Sequence, residues 1–211
     1  WLDIGCGKGN SIRNINQFNP SNYVGFDNDP YCVWESKERY PNDHFNFTLY
    51  DLSNKVNSSI SDSNIIDNKF DYIVCNFVIH FSANSKDDWY QWISKITEKA
   101  NKGTKLFLNF MDFDKLKSIT VDNIYQIDNN SYIQILNDKQ LNNDLDQKWA
   151  NVYFDWTHKM PITEPLINRS NLINDWSSNG WELSNEYSIK LDDNMSNKFS
   201  YIYSWLTFTK L

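Results

Sequence analysis

The sequence predicts an α/β fold with a mostly parallel sheet, and three observations support this class. In the first half of the chain, short apolar runs alternate with segments of helical periodicity. A glycine-rich turn directly follows the first apolar run. The chain has 211 residues, of which 40% are hydrophobic and 16% aromatic, enough for one well-packed core. We therefore expect a single domain over residues 1–211.

Five short apolar runs predict the strands of the first half of the chain, at residues 1–4, 23–26, 45–49, 70–75 and 105–110. Asp29 followed by Pro30 is typical of a helix start and predicts a helix that extends to about Tyr40. This element connects the second and third strands, as a parallel sheet requires.

A second helix is predicted after the fourth strand. Ser85 and Asp88 form a capping-box pattern. Gly103 predicts the end of this helix. Four apolar residues recur at helical spacing between these signals and are predicted to pack in the core: Trp89, Trp92, Ile93 and Ile96.

The pattern changes over residues 112–165, where strand-like pieces at 123–127, 132–136 and 152–156 are separated by polar runs. We interpret this segment as a β-rich insertion between strands five and six that covers the substrate at one end of the sheet. A helix over 170–178 and two final strands, at 181–189 and 201–209, complete the predicted order.

Charge and cysteine content limit the possible functions. The net charge is −7, from 20 basic and 27 acidic residues, so a broad nucleic-acid groove is not expected, whereas a pocket for one nucleotide is compatible with it. Cys6, Cys32 and Cys75 form no paired motif and are predicted to be reduced structural thiols, without a metal. No apolar stretch reaches the length of a membrane span, so we expect a cytoplasmic protein without membrane contact.

The glycine-rich turn is the strongest signal for a binding site. Asp3 is followed by Gly5, Gly7 and Gly9, and the second predicted strand ends at Asp27. Glycines let the backbone approach a ligand closely, and a carboxylate about 20 residues further on can accept hydrogen bonds from a ribose diol. These residues predict a nucleoside-containing cofactor.

The spacing of this turn resembles the first motif of class I S-adenosylmethionine-dependent methyltransferases, D-x-G-x-G-x-G. The resemblance implies a Rossmann-like fold with a seven-stranded sheet and S-adenosyl-L-methionine as cofactor. It places Asp51 at the adenine amino group, and Asn76 and Phe77 at adenine and methionine. The full set of implied cofactor contacts is Asp3, Gly5, Cys6, Gly7, Lys8, Asp27, Asn28, Asp51, Leu52, Asn76, Phe77 and Phe81.

Residues 70–82 resemble more narrowly the fourth-strand motif of mRNA cap guanine-N7 methyltransferases, in which C-Q-F is followed by a His-Tyr pair and Ser. In this chain Asn76 stands for Gln and Phe81 for Tyr. Matches extend to Arg39, Tyr153, Glu164 and Tyr203. The family usually has Pro before the acid and an aromatic after it, whereas here Pro follows Glu164.

This resemblance implies that residues position the substrate and that none acts as a catalytic acid or base, because guanine N7 is unprotonated at neutral pH. Glu164 would accept hydrogen bonds from guanine N1–H and the exocyclic amine, and His80 would contact O6. The other implied cap-binding residues are Phe81 and Tyr203 for stacking and Tyr153 in the insertion. Lys8, Arg13 and Arg39 are implied either for the cap triphosphate and ribose or for the cofactor carboxylate. Arg39 could instead pair with an acid on its own helix.

Other acceptors and a non-enzymatic role stay open. The alternatives are a class I methyltransferase that acts on a small molecule or another RNA, and an inactive methyltransferase-like subunit that binds or stimulates a partner. Likeness to large-DNA-virus capping enzymes implies the capped 5′ end of mRNA as partner, with triphosphatase and guanylyltransferase domains on the same polypeptide and a stimulatory subunit. It implies the host cytoplasm or virion for a viral enzyme and the nucleus for a cellular one. The first residue lies inside a predicted strand, so we expect an N-terminally truncated domain.

Overall fold

A computed structural model describes residues 1–49, 69–82, 85–136, 148–155, 160–190 and 198–211. The strands in these ranges are β1 (Leu2–Ile4), β2 (Tyr23–Asp27), β3 (Phe45–Leu49), β4 (Phe70–Asn76), β5 (Ala100–Met111), β6 (Ile124–Gln126), β7 (Tyr132–Ile135), β8 (Trp149–Tyr153), β9 (Ile162–Pro165), β10 (Trp181–Ser188) and β11 (Tyr203–Lys210). The helices are α1 (Ile12–Ile15), α2 (Pro30–Arg39), α3 (Lys86–Glu98), α4 (Phe113–Ile119), α5 (Arg169–Ser178) and α6 (Lys198–Tyr201), with 3-10 turns at Asn16–Phe18 and Ile79–Ser82.

The larger sheet has seven strands in the order β10-β11-β5-β4-β1-β2-β3. Six of them point in the same direction, and β11 runs against them and pairs antiparallel with both β5 and β10. Strand β2 lies on one side of β1 and is followed by β3, whereas β4 lies on the other side of β1. Such a reversal of strand order opens a crevice at the carboxyl ends of the strands, where α/β proteins bind ligands. The predicted fold class is confirmed.

Helices cover the larger sheet on both sides. On one face, Trp92 of α3 and Trp176 of α5 meet edge to face at 5.9 Å within the main apolar cluster, which also holds the predicted stripe of α3. On the other face, Ile12 of α1 and Val33 of α2 pack with Tyr23 and Phe47. The two layers hold β1, β2 and the turns that follow them in one position.

A second sheet of four antiparallel strands, in the order β6-β7-β8-β9, forms the predicted β-rich segment. Its core packs Ile133 and Val152 against Leu116 of α4 and Ile202 just before β11. Because β9 also contacts the 3-10 turn after β4, the second sheet lies beside the carboxyl end of the larger one.

The structure moves several predicted boundaries, among them the start of β5, which lies at Ala100 and not at residue 105. Helix α3 ends at Glu98, and Gly103 lies inside β5, at a φ of +90° that favours glycine and where the pairing with β4 changes register. Strand β8 starts at Trp149, earlier than predicted. Residues 201–202 do not join β11, because α6 extends through Tyr201.

The three cysteines have free thiols, and Cys6 and Cys75 are buried. Within the ranges that the structure describes, no helix combines the length and the apolar character needed to cross a membrane.

Candidate cofactor and acceptor site

The turn after β1 has three glycines in the left-handed region, Gly5, Gly7 and Gly9, with φ of +70°, +53° and +75°. A Cβ on Gly5 would lie 2.7 Å from Val78 Cγ2, and one on Gly9 would lie 2.9 Å from the ring of Tyr40. A Cβ on Gly7 would meet no atom within 4 Å among the described residues. The turn therefore packs closely on two sides and has an open cradle at Gly7, which fits a ligand that approaches the backbone.

Asp27, at the end of β2, is adjacent to this turn. Its Oδ2 accepts a hydrogen bond of 2.7 Å from the Gly7 N–H, and its Oδ1 accepts one of 2.9 Å from the Asp29 N–H. Each carboxylate oxygen has a further lone pair, so the group can hold the turn and still accept a ribose hydroxyl. Asn28 follows as an exposed residue. The structure thus brings together the glycine turn and the ribose acid that the sequence predicts.

Asp3 lies beneath the turn and does not face solvent. It is 1% exposed, and the Tyr23 hydroxyl donates a 2.6 Å hydrogen bond to its Oδ2. Burial raises the pKa of Asp3 to about 6, although the Tyr23 and Ser11 hydroxyls favour the carboxylate. Asp3 therefore supports the turn from below.

Lys8 and Arg39 are joined through one carboxylate. Lys8 Nζ is 2.7 Å from Glu35 Oε2, and Arg39 pairs with the other oxygen of Glu35 one helical turn away. Arg39 also donates to Asn10 Oδ1 at 3.3 Å. Arg39 therefore pairs with an acid on its own helix, Glu35, as the alternative interpretation expected. Arg13 is exposed on α1.

A histidine and a carboxylate face each other on the other side of the crevice. His80 lies in the 3-10 turn after β4 and Glu164 on β9, with His80 Nε2 3.7 Å from Glu164 Oε2. Burial lowers the pKa of His80 to about 4 and raises the pKa of Glu164. At neutral pH, the imidazole is therefore uncharged.

Aromatic rings surround this pair. The ring of Phe77 meets the Tyr203 ring edge to face at 5.0 Å, and the ring of Phe81 lies 4.1 Å from the His80 ring. Phe77 has a φ of +55°, which is costly for a bulky residue, and its ring is 49% exposed. Burial and the nearby Glu164 raise the pKa of Tyr203, so its hydroxyl stays protonated. These rings form a cluster with one carboxylate and one neutral imidazole, which we call the acceptor pocket.

Not every predicted residue reaches this pocket. The Tyr153 ring packs on Tyr132 at 5.7 Å, and its hydroxyl lies 3.4 Å from Asp155 Oδ1. Asn76 is exposed at the end of β4, where the prediction puts it. Cys6 is buried, and its thiol lies 3.6 Å from the Gly7 carbonyl. The predicted contacts Asp51 and Leu52 lie outside the described residues.

Sequence reasoning missed two supporting residues, Glu35 and Tyr23. The i,i+4 spacing of Glu35 and Arg39 was an available signal, and it indicated the ion pair but not the shared contact with Lys8. Tyr23 has no local signal, because the hydrogen bond to Asp3 spans 20 residues and depends on the pairing of β1 with β2.

Comparisons with known proteins identify the fold of this chain. Residues 2–106 match the model of a family described as a methyltransferase domain. A solved S-adenosylmethionine-dependent methyltransferase from Clostridium acetobutylicum superposes with a TM-score of 0.64 at 16% identity, over 99% of this chain and 82% of that chain. No curated protein sequence matches the chain.

Two further solved structures are similar in fold. A putative S-adenosylmethionine-dependent methyltransferase from Listeria monocytogenes has a TM-score of 0.64 and 12% identity, over 100% of this chain and 89% of that chain. The glycopeptide N-methyltransferase MtfA, complexed with S-adenosylmethionine, has a TM-score of 0.62 and 9% identity, over 100% and 86%.

The fold is therefore that of a class I S-adenosylmethionine-dependent methyltransferase. This fold and the family match over residues 2–106 support methyl transfer from S-adenosyl-L-methionine as the activity of this protein.

Proposed function

We propose that this protein methylates N7 of the guanine cap of mRNA and so converts GpppN to m7GpppN. The observation that supports the proposal is the pairing of His80 with Glu164 at 3.7 Å inside an aromatic pocket beside the cofactor turn. The three residue types match what guanine presents: two N–H donors on one edge, a carbonyl oxygen and a flat ring.

In this proposal, Glu164 reads the guanine base. Its carboxylate accepts hydrogen bonds from N1–H and from the exocyclic amine, a pair of donors that adenine does not present together. The neutral His80 donates one ring N–H to guanine O6. Phe77, Phe81 and Tyr203 form the walls on which the ring stacks, and such stacking contributes about 1 to 3 kcal/mol per base.

Methyl transfer to N7 requires that the guanine base be oriented towards the methyl group, and it does not require a proton transfer. When bound, S-adenosyl-L-methionine supplies an electrophilic methyl group, which the N7 lone pair accepts without loss of a proton. The residues of the pocket hold the base in line and limit access of water. Glu164 also favours the positive charge that develops on the guanine ring.

The chain offers groups for the rest of the ligands. The cradle at Gly7, with Asp27 beside it, fits the cofactor ribose and amino-acid portion. Lys8 and Arg39 present two cations against the single carboxylate of Glu35, which leaves charge for the cap triphosphate. The second sheet contributes Glu164, so we propose that residues 112–165 cover the substrate. Because the net charge is −7, binding of a longer RNA segment would come from attached capping domains or a stimulatory subunit.

The test offers a radiolabelled methyl donor with three dinucleotides, GpppG, GpppA and ApppA. We expect label in GpppG and GpppA and none in ApppA. Glu164→Gln keeps the size of the side chain but replaces one acceptor by a donor, so it should lose most of the activity while binding cofactor normally. Equal labelling of ApppA would contradict the cap assignment.

A second candidate is a small-molecule acceptor with an amine or hydroxyl group. The supporting observation is the position of His80 Nε2 3.7 Å from Glu164 Oε2, because a carboxylate can orient an imidazole that removes a proton from the acceptor. Base catalysis contributes about 10² to 10⁴ in rate, whereas a hydrogen bond to O6 contributes much less. His80→Asn, which keeps a donor, should therefore be tolerated in cap methylation and abolish methylation that needs a base.

A further inference from the structure

Two large rings are exposed side by side on helix α2. Tyr31 and Trp34 are each 56% exposed, and their ring centroids are 5.8 Å apart with an interplanar angle of 35°. They lie three residues apart on the solvent face, while Val33 and Ser36 are buried on the opposite face. Aromatic side chains usually bury a large apolar area in a core or an interface. Two adjacent rings that are exposed therefore indicate a contact surface. We call Tyr31 and Trp34 the α2 aromatic pair.

The pair adjoins the cofactor turn through Lys8. The Lys8 ammonium lies 5.0 Å from the centre of the Tyr31 ring and 2.7 Å from Glu35. Arg39 pairs with the same Glu35 from the next helical turn. The charged groups beside the rings are thus Lys8 and Arg39 with the carboxylate of Glu35 that they share, Asp29, whose side chain caps the start of α2, and the exposed Lys37 and Glu38 one turn after Trp34.

We propose that the α2 aromatic pair is a stacking platform for the first nucleotides that follow the cap in single-stranded RNA. The inference rests on the proposed function. Once the triphosphate lies at Lys8 and Arg39, the next bases reach the exposed face of α2.

The chemistry of the surface favours RNA over other occupants. Bases stack on Trp and Tyr without regard to sequence, and this attraction does not depend on net charge. A chain with a net charge of −7 cannot rely on a long basic groove, so a short platform of two rings beside two cations suits its charge. The predicted footprint is therefore one or two nucleotides.

The experiment compares a cap dinucleotide with a longer capped RNA. Methylation of GpppG and of a capped RNA of about five nucleotides is measured with Trp34→Ala, Trp34→Phe and the double variant Tyr31→Ala/Trp34→Ala. Loss of about 1 to 2 kcal/mol of stacking converts to a KM for the capped RNA about 5- to 30-fold higher. The kcat should not change. The KM for GpppG, which presents only the first nucleotide after the cap, should rise less than the KM for the longer capped RNA, and Trp34→Phe should recover part of the affinity. Tyr187→Ala is the control, because Tyr187 is 63% exposed on β10, at the opposite edge of the sheet.

Binding of an uncapped 5′-triphosphate RNA of the same length, followed by fluorescence anisotropy, separates this inference from the cap assignment. If GpppG is not methylated, the proposed function fails, and weaker RNA binding by the double variant still supports the platform. If GpppG is methylated and the variants bind RNA as the wild type does, the platform is wrong and the cap assignment stands. Unchanged RNA binding together with altered self-association would assign the surface to a second copy of the chain and overturn the inference.

Discussion

The Tyr23 hydroxyl donates a 2.6 Å hydrogen bond to Asp3 Oδ2, in the buried layer under the cofactor turn. The bond joins β1 to β2, the two strands whose ends supply the turn and the ribose acid. A carboxylate that is 1% exposed keeps a strongly perturbed pKa, which makes both stability and cofactor binding sensitive to this residue.

Asp3→Asn should increase stability at alkaline pH. The folded-state pKa of Asp3, about 6, lies above the ordinary value of 3.8 for this group, so the folded state binds the proton more tightly than the unfolded state. The resulting stabilisation is full below pH 3.8 and is lost as the pH rises through about 6. Asparagine avoids this loss and can still accept from Tyr23. Urea unfolding should show the variant more stable by about 1 to 3 kcal/mol near pH 8 and similar near pH 4. A difference that does not depend on pH would contradict the assignment.

Glu164→Ala should weaken use of the cap far more than binding of the cofactor. The carboxylate lies on β9 across the crevice from the cofactor turn, and it is proposed to accept two hydrogen bonds from guanine. Loss of two charge-assisted bonds corresponds to about a 100-fold lower kcat/KM for GpppG. Calorimetry with S-adenosylmethionine should give an unchanged Kd. Equal losses in both measurements would count against a role in reading guanine.

Asp27→Ala should have the opposite profile. The substitution removes the acceptor for the Gly7 N–H and the proposed partner of the ribose hydroxyls. We expect the Kd for S-adenosylmethionine to rise by about 10- to 100-fold, while the KM for the cap dinucleotide at saturating cofactor stays close to that of the wild type. An unchanged cofactor affinity would show that the ribose is bound elsewhere.

Gly7→Ala tests the open cradle against a matched control. Both Gly7 and Gly103 have a positive φ, and a Cβ on either meets no described atom within 4 Å, so alanine should cost each about 1 kcal/mol of backbone strain. Only the Cβ at Gly7 would project into the proposed cofactor position. Thermal unfolding should shift similarly in both variants, and cofactor affinity should fall in Gly7→Ala alone. Normal cofactor binding by Gly7→Ala would remove the cradle from the site.

Much of the larger sheet could be read from the sequence because its signals are local. Short apolar runs define β1 to β5, and Asp29 and Ser85 cap α2 and α3 with their own side chains, as predicted. The end of α3 was placed wrongly at Gly103, because a glycine with positive φ serves a strand irregularity as well as a helix end. The residue alone does not distinguish these two uses.

The sequence by itself determined the fold class, the glycine turn and Asp27, because strand, turn and acid lie within one βαβ unit and the chain order sets their spacing. The tertiary structure alone decided that His80 meets Glu164 and that Tyr23 holds Asp3. The first contact joins the 3-10 turn after β4 to strand β9 of the second sheet across 84 residues, and the second joins neighbouring strands in a buried layer. Such contacts depend on the packing of whole elements, and their physical consequence is a buried carboxyl with a raised pKa and a neutral imidazole beside Glu164.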